Sequence, residues 1–177
     1  YNNSAAVFGA SLTEDRFGLT NSAYFFDGND HIESPHQDWL NYGTGSTTWV
    51  GWGQKTGGND HAHLLTKGVF TSAPYSAKGT YLRIAPDNFV ELATGQSGAG
   101  FESQGYGAGC QTDEALEDWF HLVGIMNKEE GFSSVYVNGE LACIGPITYP
   151  EHNTDQDGLL LIGCEHPYVS LPSGPQY

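Results

Sequence analysis

The chain has 177 residues and a formal net charge of −15, from 21 acidic and 6 basic residues. This length suits a single domain over 1–177 that buries its own core, and the negative charge opposes binding to nucleic acid or to an acidic membrane leaflet. Few charges and 24 glycines favour a turn-rich β protein over a helical one. The excess of acidic residues is typical of a surface that keeps a protein soluble or adapts it to a salty medium. Alternatively, some of the carboxylates gather around Ca²⁺, which prefers oxygen ligands.

Short strands separated by turns are predicted through the first half of the chain. Residues 1–20 are a leading segment with one edge strand, and residues 24–33 are predicted to form a hairpin around the Asp27-Gly28 turn. The glycine-dense segment 94–111 is predicted to cross an open face of a sheet. Further strands are predicted at Thr47 to Gly53, His61 to Thr66, Tyr81 to Ile84 and Phe89 to Leu92.

The second half holds the clearest β unit. Residues 119–126 are apolar on both faces, which predicts a strand sandwiched between two layers, with His121 as a hydrogen-bonded core histidine. The next run, 132–137, leads into Asn138-Gly139, a strong signal for a type I′ turn because both residues tolerate positive φ. The turn predicts the cross-strand pairs Val137 with Glu140, Tyr136 with Leu141, and Val135 with Ala142. At least eight such strands and no long helix indicate a β-sandwich of antiparallel sheets.

Three cysteines occur in the chain, and none has the CxxC spacing of a zinc or thioredoxin-type site. In an oxidising compartment one disulfide plus one thiol is expected, with Cys143–Cys164 as the first pair to test. Three buried thiols, including Cys110, are the alternative. The sequence also lacks an apolar run of about 18 residues, so no insertion into a membrane is predicted.

Six blocks in order resemble the laminin-G-like and pentraxin-like domains of the concanavalin A-like lectin/glucanase superfamily. The segment 9–33 resembles a block in which a DRFG-type turn precedes a strand that ends in FDG. The other blocks are TTWVGWG at 47–53, HLLTKG at 63–68, WFHLVGI at 119–125, YVNGELA at 136–142 and LLLIG at 159–163. The resemblance implies a jelly-roll β-sandwich of two antiparallel sheets, and it implies a role in recognition outside the cell.

The chain departs from this pattern at both ends. Family members begin with an additional strand and end with a strand rich in Asp, Val and Arg, whereas residues 164–177 form an atypical C-terminal tail without that composition. An incompletely covered sheet edge would offer unpaired backbone groups, and another chain could complete it. Homo-oligomerisation or polymerisation by strand addition is therefore one hypothesis.

The best chemical motif lies between 153 and 158. Asn153, Asp155 and Asp157 alternate and a glycine follows, as in the first half of an EF-hand loop. The twelfth position is a cysteine, so a complete EF-hand is excluded, and the alternatives are a half-loop Ca²⁺ site or an ordinary Asx-rich turn. Asp27 and Asp30 are further candidate Ca²⁺ ligands, although such turns are often simple hairpins.

Catalysis is not predicted. The glycanases of this fold carry Glu and Asp alternating on one strand, often as E-x-D-x-x-E, and that pattern is missing from the sequence, as are GxSxG and phosphate-binding signatures. His61 and His63 alternate on one strand and offer a transition-metal pair, but this spacing is more typical of half-exposed strand residues. Ligand-binding aromatic residues are instead predicted at Phe101, Tyr106 and Tyr149, with side chains that cover the sandwich as the alternative.

The sequence as a whole predicts a non-catalytic, calcium-stabilised recognition module, secreted or at the cell surface, that binds carbohydrate or protein. The alternative is a self-assembling structural subunit of a surface layer or an extracellular fibre, in which a neighbouring subunit completes the edge of the sandwich. Both hypotheses require the same fold, so the fold alone does not decide between them.

Overall fold

The computed structural model describes residues 4–57, 61–71, 76–95, 106–113, 116–148, 150–151, 153–154 and 157–164. Within them the chain forms short 3₁₀ turns at Asp38–Leu40 and Pro86–Asn88, and no described helix is long and apolar enough to cross a membrane. The strands are β1 (Ala6–Phe8), β2 (Ser11–Thr13), β3 (Ala23–Phe25), β4 (His31–Ser34), β5 (Thr47–Gly53), β6 (Ala62–Thr71), β7 (Ser76–Ala85), β8 (Phe89–Gly95), β9 (Tyr106–Gln111), β10 (Phe120–Asn127), β11 (Phe132–Val137), β12 (Glu140–Pro146) and β13 (Leu160–Ile162).

The strands build the antiparallel β-sandwich that the sequence predicts. One sheet has seven strands in the order β1-β4-β13-β6-β7-β8-β9, the facing sheet has four in the order β12-β11-β10-β5, and β2 and β3 form a separate hairpin. The core lies between the two larger sheets, where Leu82 and Leu92 meet Leu122 and Val135, all fully buried. Gly124 lets the sheets approach, because a Cβ at this position would lie 3.0–3.1 Å from Leu82 and Leu92.

Strand β10 is buried on one face only, contrary to the prediction of a strand between two layers. Its residues alternate between buried and half-buried along its whole length. His121 is on the half-buried face, where its ring stacks on Trp52 with the centroids 4.8 Å apart, so it is not a core histidine. The prediction was wrong because the apolar side chains on the second face of β10 are not covered by another layer and instead form part of the outer surface of the sheet.

The hairpin of β11 and β12 confirms the predicted turn. Asn138 and Gly139 have φ values of 52° and 89°, as a type I′ turn requires. Val137 pairs with Glu140 and Tyr136 with Leu141, as predicted, but Val135 pairs with Cys143 rather than with Ala142. A β-bulge after Val135 adds one residue to β12, and this bulge turns Cys143 toward the interior.

The predicted hairpin over residues 24–33 is wrong. Strand β3 pairs with the earlier strand β2, while β4 pairs with β1 on one side and with β13 on the other. The Asp27-Gly28 turn therefore passes the chain from the small hairpin into the large sheet. The Asp30 carboxylate fixes this turn, because its Oδ2 accepts a hydrogen bond of 3.0 Å from the backbone N–H of Asp27.

The predicted disulfide between Cys143 and Cys164 is also wrong. Cys143 pairs with Cys110, with a Cα–Cα distance of 6.0 Å, whereas Cys164 is a buried thiol. Cys110 belongs to β9 and Cys143 to β12, which are the last strands of their sheets and lie against each other. The bond therefore joins the two sheets at one side of the sandwich. Residues 106–111, predicted to cross an open face, form β9, and residues 165–177 of the predicted tail are outside the described chain.

Candidate functional site

Three loops meet at one end of the sandwich, near the start of β5 and the end of β10. They are residues 35–46, 127–131 and the described residues of 147–159, and we call this region the rim. Backbone hydrogen bonds join them, since Ile147 N–H donates to the Gly131 carbonyl and Thr154 N–H to the Gly43 carbonyl. The rim is therefore one connected surface built from segments that are far apart in the sequence.

The Gly43 carbonyl is the centre of these contacts. It accepts hydrogen bonds from the backbone N–H and the hydroxyl of Thr154, at 3.1 and 3.0 Å, and from the Lys128 ammonium at 3.3 Å. Lys128 N–H donates in turn to the Ser46 hydroxyl at 3.0 Å. Charged donors strengthen such bonds, so the rim has a fixed shape before any ligand arrives.

A second buried lysine holds Gly158, the last residue of the predicted Ca²⁺ motif. Lys67 is almost fully buried on β6, and its ammonium donates to the Gly158 carbonyl at 2.7 Å and lies 3.4 Å from His36 Nδ1. The other nitrogen of His36 is 3.7 Å from the exposed Asp157 carboxylate and 3.3 Å from that of Asp38. A buried ammonium needs such partners because the cost of its desolvation is high.

A chain of hydroxyl groups anchors the loop that carries Gly43. The Tyr42 hydroxyl is hydrogen-bonded to the Thr80 hydroxyl, which donates to Thr94 at 3.0 Å, and Thr94 donates to the Gly79 carbonyl at 2.7 Å. Thr80 and Thr94 are fully buried on the neighbouring strands β7 and β8. Each donor of this chain has an acceptor, so the interior of the rim is satisfied rather than strained.

An open cleft of about 350 Å³ lies where the rim meets the outside of the four-stranded sheet. The Asn127 amide at its wall donates to the Glu130 carboxylate at 3.1 Å, which fixes its orientation. Hydroxyl, amide and carboxylate groups beside an aliphatic side chain are groups that bind polyhydroxylated ligands by hydrogen bonds. The described residues of its lining are Ser46, Thr47, Thr48, Ile125, Asn127 and Glu129.

The predicted Ca²⁺ ligands are only partly brought together. Asn153 and Asp157 are at the rim, while Asp155 is outside the described residues. Asp27 and Asp30 belong to the turn before β4, where Asp30 already accepts the hydrogen bond from Asp27 N–H. Among the described residues, no group of three or more His, Cys, Asp or Glu lies together as a metal site. The described donors therefore fit Ca²⁺ incompletely, since the ion takes six to eight oxygen ligands.

None of the three aromatic residues predicted to bind a ligand is among the described residues that line the cleft. Tyr106 is the first residue of β9, where its backbone pairs with Thr94. Phe101 and Tyr149 are outside the described residues. The predicted pair of histidines is close, with ring centroids 6.3 Å apart, but His63 is buried and its Nδ1 lies 3.2 Å from the Thr66 hydroxyl.

Sequence reasoning missed the basic residues of the rim. The sequence led to no prediction of a role for Lys67 or Lys128, although both are almost fully buried. A signal was present, because the chain has only 6 basic residues and Lys67 follows the apolar run of β6. Lysines are rarely buried without a partner, so a lysine inside a core strand points to carbonyl or carboxylate groups nearby.

Comparison with known proteins agrees with this architecture. The profile of the concanavalin A-like lectin/glucanases superfamily matches residues 26–172, most of the chain. The chain belongs to this superfamily. The suspected resemblance to laminin-G-like domains is therefore confirmed at the level of the family, and so is the predicted class of all-β sandwich.

Individual relatives of this concanavalin A-like chain are distant. A 51-residue stretch, 29% of the chain, is 43% identical to the human pentraxin-related protein PTX3. Among solved structures, the mouse laminin alpha1 chain (domains LG4-5) has a TM-score of 0.51 at 18% identity over 77% of this chain. The ligand binding domain of botulinum neurotoxin serotype D, in complex with N-acetylneuraminic acid, has a TM-score of 0.62 at 14% identity over 92%. The chain spans only 13%, 34% and 38% of these three proteins, respectively.

Proposed function

We propose that this concanavalin A-like chain is a non-catalytic recognition module that binds a carbohydrate at the rim. The observation that carries the proposal is the cleft lined by Ser46, Asn127 and Glu129 beside the rim. The Ser46 hydroxyl is held by Lys128 N–H and the Asn127 amide by the Glu130 carboxylate before any ligand binds. Such preorganisation lowers the cost of binding.

Two of the similar structures support a carbohydrate ligand by analogy. One is the botulinum neurotoxin serotype D domain in complex with N-acetylneuraminic acid. The other is from botulinum neurotoxin type C, whose cell entry depends on interaction with two ganglioside molecules. These proteins share the fold of this chain at 12–14% identity. Their ligands make carbohydrate the class to test first, with a protein ligand as the second.

The chemistry of the cleft supports binding rather than hydrolysis. Glycoside hydrolysis requires two carboxyl groups that flank the scissile bond. Of the described residues that line the cleft, Glu129 alone carries a carboxyl group. We therefore propose that Glu129 accepts hydrogen bonds from sugar hydroxyl groups and has no catalytic role.

The disulfide supports an extracellular location. Structural disulfides persist in oxidising compartments and are rare in the cytosol. The bond between Cys110 and Cys143 joins the two sheets, so it is a structural disulfide rather than an exposed redox pair. We propose that the chain acts outside the cell.

A glycan array followed by calorimetry with the best glycan tests the binding proposal. Substitution Glu129→Gln should raise Kd about tenfold or more, because it replaces a charged acceptor by a neutral amide. Glu14→Gln, on the exposed β2–β3 hairpin, is the matched control and should leave Kd unchanged. Failure to bind any glycan, or equal Kd values for the two variants, would reject a carbohydrate site in this cleft.

We further propose that Ca²⁺ stabilises the 153–158 turn through Asn153, Asp155 and Asp157. A ligand that binds only the native state must raise the melting temperature, so millimolar Ca²⁺ should raise Tm and a chelator should reverse the change. Asp157→Asn should reduce the shift, whereas Asp118→Asn, on an exposed loop, should not. An unchanged Tm at millimolar Ca²⁺ would refute the proposal.

A further inference from the structure

The chain has only two arginines, and their surroundings differ. Arg83 is bound by the Glu91 carboxylate at 2.8–2.9 Å. Arg16 is exposed on the connection between β2 and β3, and no carboxylate of the described residues lies within ion-pair distance of it. The chain has 21 acidic residues, and yet the positive charge of Arg16 is left open to a ligand.

Two aromatic rings hold the Arg16 side chain in place. Its Cζ atom lies 4.3 Å from the centroid of the Phe17 ring and 3.9 Å from that of the Trp52 ring. Trp52 is in turn stacked on His121 of the neighbouring strand β10. Contacts between a cation and aromatic faces are attractive, so they restrict the arginine and lower the entropic cost of binding a ligand.

The turn that carries Arg16 and Phe17 is itself closed by hydrogen bonds. The Asp15 carboxylate accepts from the backbone N–H groups of Phe17 and Leu19 at 2.9 and 3.0 Å. The Asp15 carbonyl accepts from Gly18 N–H, and Asp15 N–H donates to the Leu19 carbonyl, both at 3.0 Å. The carboxylate next to Arg16 in the chain is therefore engaged in the turn rather than with the guanidinium.

The geometry of this arginine favours a planar anion. The N–H donors of a guanidinium lie in its plane and form a fork that matches the two oxygens of a carboxylate. The Phe17 and Trp52 rings lie over the planar group, so a ligand approaches along its edge. The net charge of −15 repels polyanions, which favours a ligand with a single carboxylate over a polyacidic chain.

Exposed aromatic surface beside the guanidinium favours a sugar ring as the carrier of that carboxylate. Phe17 is 70% exposed and Trp52 is 46% exposed. Aromatic side chains with a few well-placed polar groups are typical of small-molecule sites. Trp52 is four residues beyond Thr48 of the cleft on the same side of β5, about 13 Å along the strand, so this surface is separate from the cleft.

We propose that Arg16, with Phe17 and Trp52, forms a second binding site that takes the carboxylate of a sugar acid. The guanidinium donates to both carboxylate oxygens in its plane, and the exposed Phe17 ring packs against the apolar C–H face of the sugar. The choice of a sugar as the carrier rests on the proposed function of the chain. The choice of a carboxylate rests on the surroundings of Arg16 alone.

An NMR titration of the whole chain with methyl glucuronide tests the site directly. The arginine Nε–H resonances come from Arg16 and Arg83 only, so one variant assigns both. The Arg16 resonance should shift until it saturates, whereas that of Arg83, which is bound by Glu91, should not shift. Methyl glucoside is the neutral analogue and should shift neither resonance.

Matched substitutions separate a binding site from a general effect of charge. Arg16→Gln should raise Kd for the glucuronide about tenfold or more, because it removes the charged fork. Lys55→Gln removes the same charge three residues beyond Trp52 and should leave Kd unchanged. Arg16→Lys keeps the charge without the planar fork and should still raise Kd about threefold or more. Backbone amide shifts of residues 15–19 give these Kd values, and thermal melts establish that each variant folds.

Several results would overturn the proposal. They are an Arg16 resonance that does not shift, equal Kd values for glucuronide and glucoside, and equal Kd values for Arg16→Gln and Lys55→Gln. Inorganic sulfate or a blocked glutamate peptide that binds as tightly as the glucuronide would overturn the sugar acid, in favour of a simple anion or of a peptide. The readouts are at Arg16 and not at Glu129, so failure of this site and failure of the cleft are distinguishable.

Discussion

At the scale of single residues, His63 is the clearest case of burial that controls chemistry. It is almost fully buried, and this burial, helped by the charges of Arg83 and His61, lowers its pKa from 6.5 to about 3. The Arg83 guanidinium is held nearby by the Glu91 carboxylate at 2.8–2.9 Å. His63 is therefore neutral in the folded chain at physiological pH.

We expect this residue to make the folded chain sensitive to acid. Below pH 6.5 the unfolded chain binds a proton at His63 and the folded chain does not, so the free energy of unfolding falls as the pH falls. The loss should reach about 2 kcal/mol between pH 8 and pH 5, above the range in which ordinary carboxylates titrate. Urea denaturation at several pH values measures it.

His63→Gln is the informative variant, because glutamine does not titrate. Its free energy of unfolding should change less between pH 8 and pH 5 than that of the native chain. His36→Gln, at the rim, is the control and should keep the native pH dependence. If His63→Gln and the native chain lose the same free energy, burial of a neutral His63 is not the cause.

At the scale of elements, the turn between β11 and β12 does more than reverse the chain. The Asn138 side-chain oxygen accepts a hydrogen bond of 2.9 Å from His121 N–H, and Asn138 N–H donates to the His121 carbonyl at 2.8 Å. The turn is therefore attached to β10 by two bonds. Its positive φ and its hydrogen bonds are separate contributions to stability.

Substitutions at Asn138 should separate these two contributions. Asn138→Gly keeps the ease of positive φ but loses the side-chain acceptor, and it should cost about 1 kcal/mol. Asn138→Ala adds the strain of a left-handed conformation and should cost about 2–3 kcal/mol. Urea denaturation measures both values. Equal costs for the two variants would contradict a strained turn.

The sequence predicted those elements whose partners are near in the chain. The Asn138-Gly139 hairpin was found because its strands and its turn signal are contiguous. The partner of β4 was misassigned because Asp27-Gly28 resembles a hairpin turn, whereas β13, which pairs with β4, lies more than 120 residues later. The rim could not be predicted for the same reason, since Gly43, Lys128 and Thr154 meet only after the sheets have stacked.

At the scale of the whole molecule, the disulfide links the two sheets at one side of the sandwich. The two bonded residues, Cys110 and Cys143, are 33 residues apart in the sequence. Closing a loop of this length restricts the unfolded chain by about 3–4 kcal/mol. The correct pair could not be found from the sequence, because the spacing of the cysteines does not show which strands lie at the same side of the sandwich.

Replacing both bonded cysteines tests this contribution. The double variant Cys110→Ser and Cys143→Ser should lower the free energy of unfolding by about 3–4 kcal/mol, measured by denaturant titration. Peptide mapping of the native chain should recover Cys110 linked to Cys143. Recovery of a Cys143–Cys164 peptide, or a double variant as stable as the native chain, would contradict the assignment.

The contacts of the Gly43 carbonyl have a consequence for how the two proposed ligands would influence each other. Thr154 and Lys128 both donate to this carbonyl, and the N–H of Lys128 donates to Ser46 of the cleft. Ca²⁺ bound beside Thr154 would therefore also favour the ordered form of the cleft wall, and such coupling acts equally in both directions. Ca²⁺ would then raise the affinity for a glycan without contacting it.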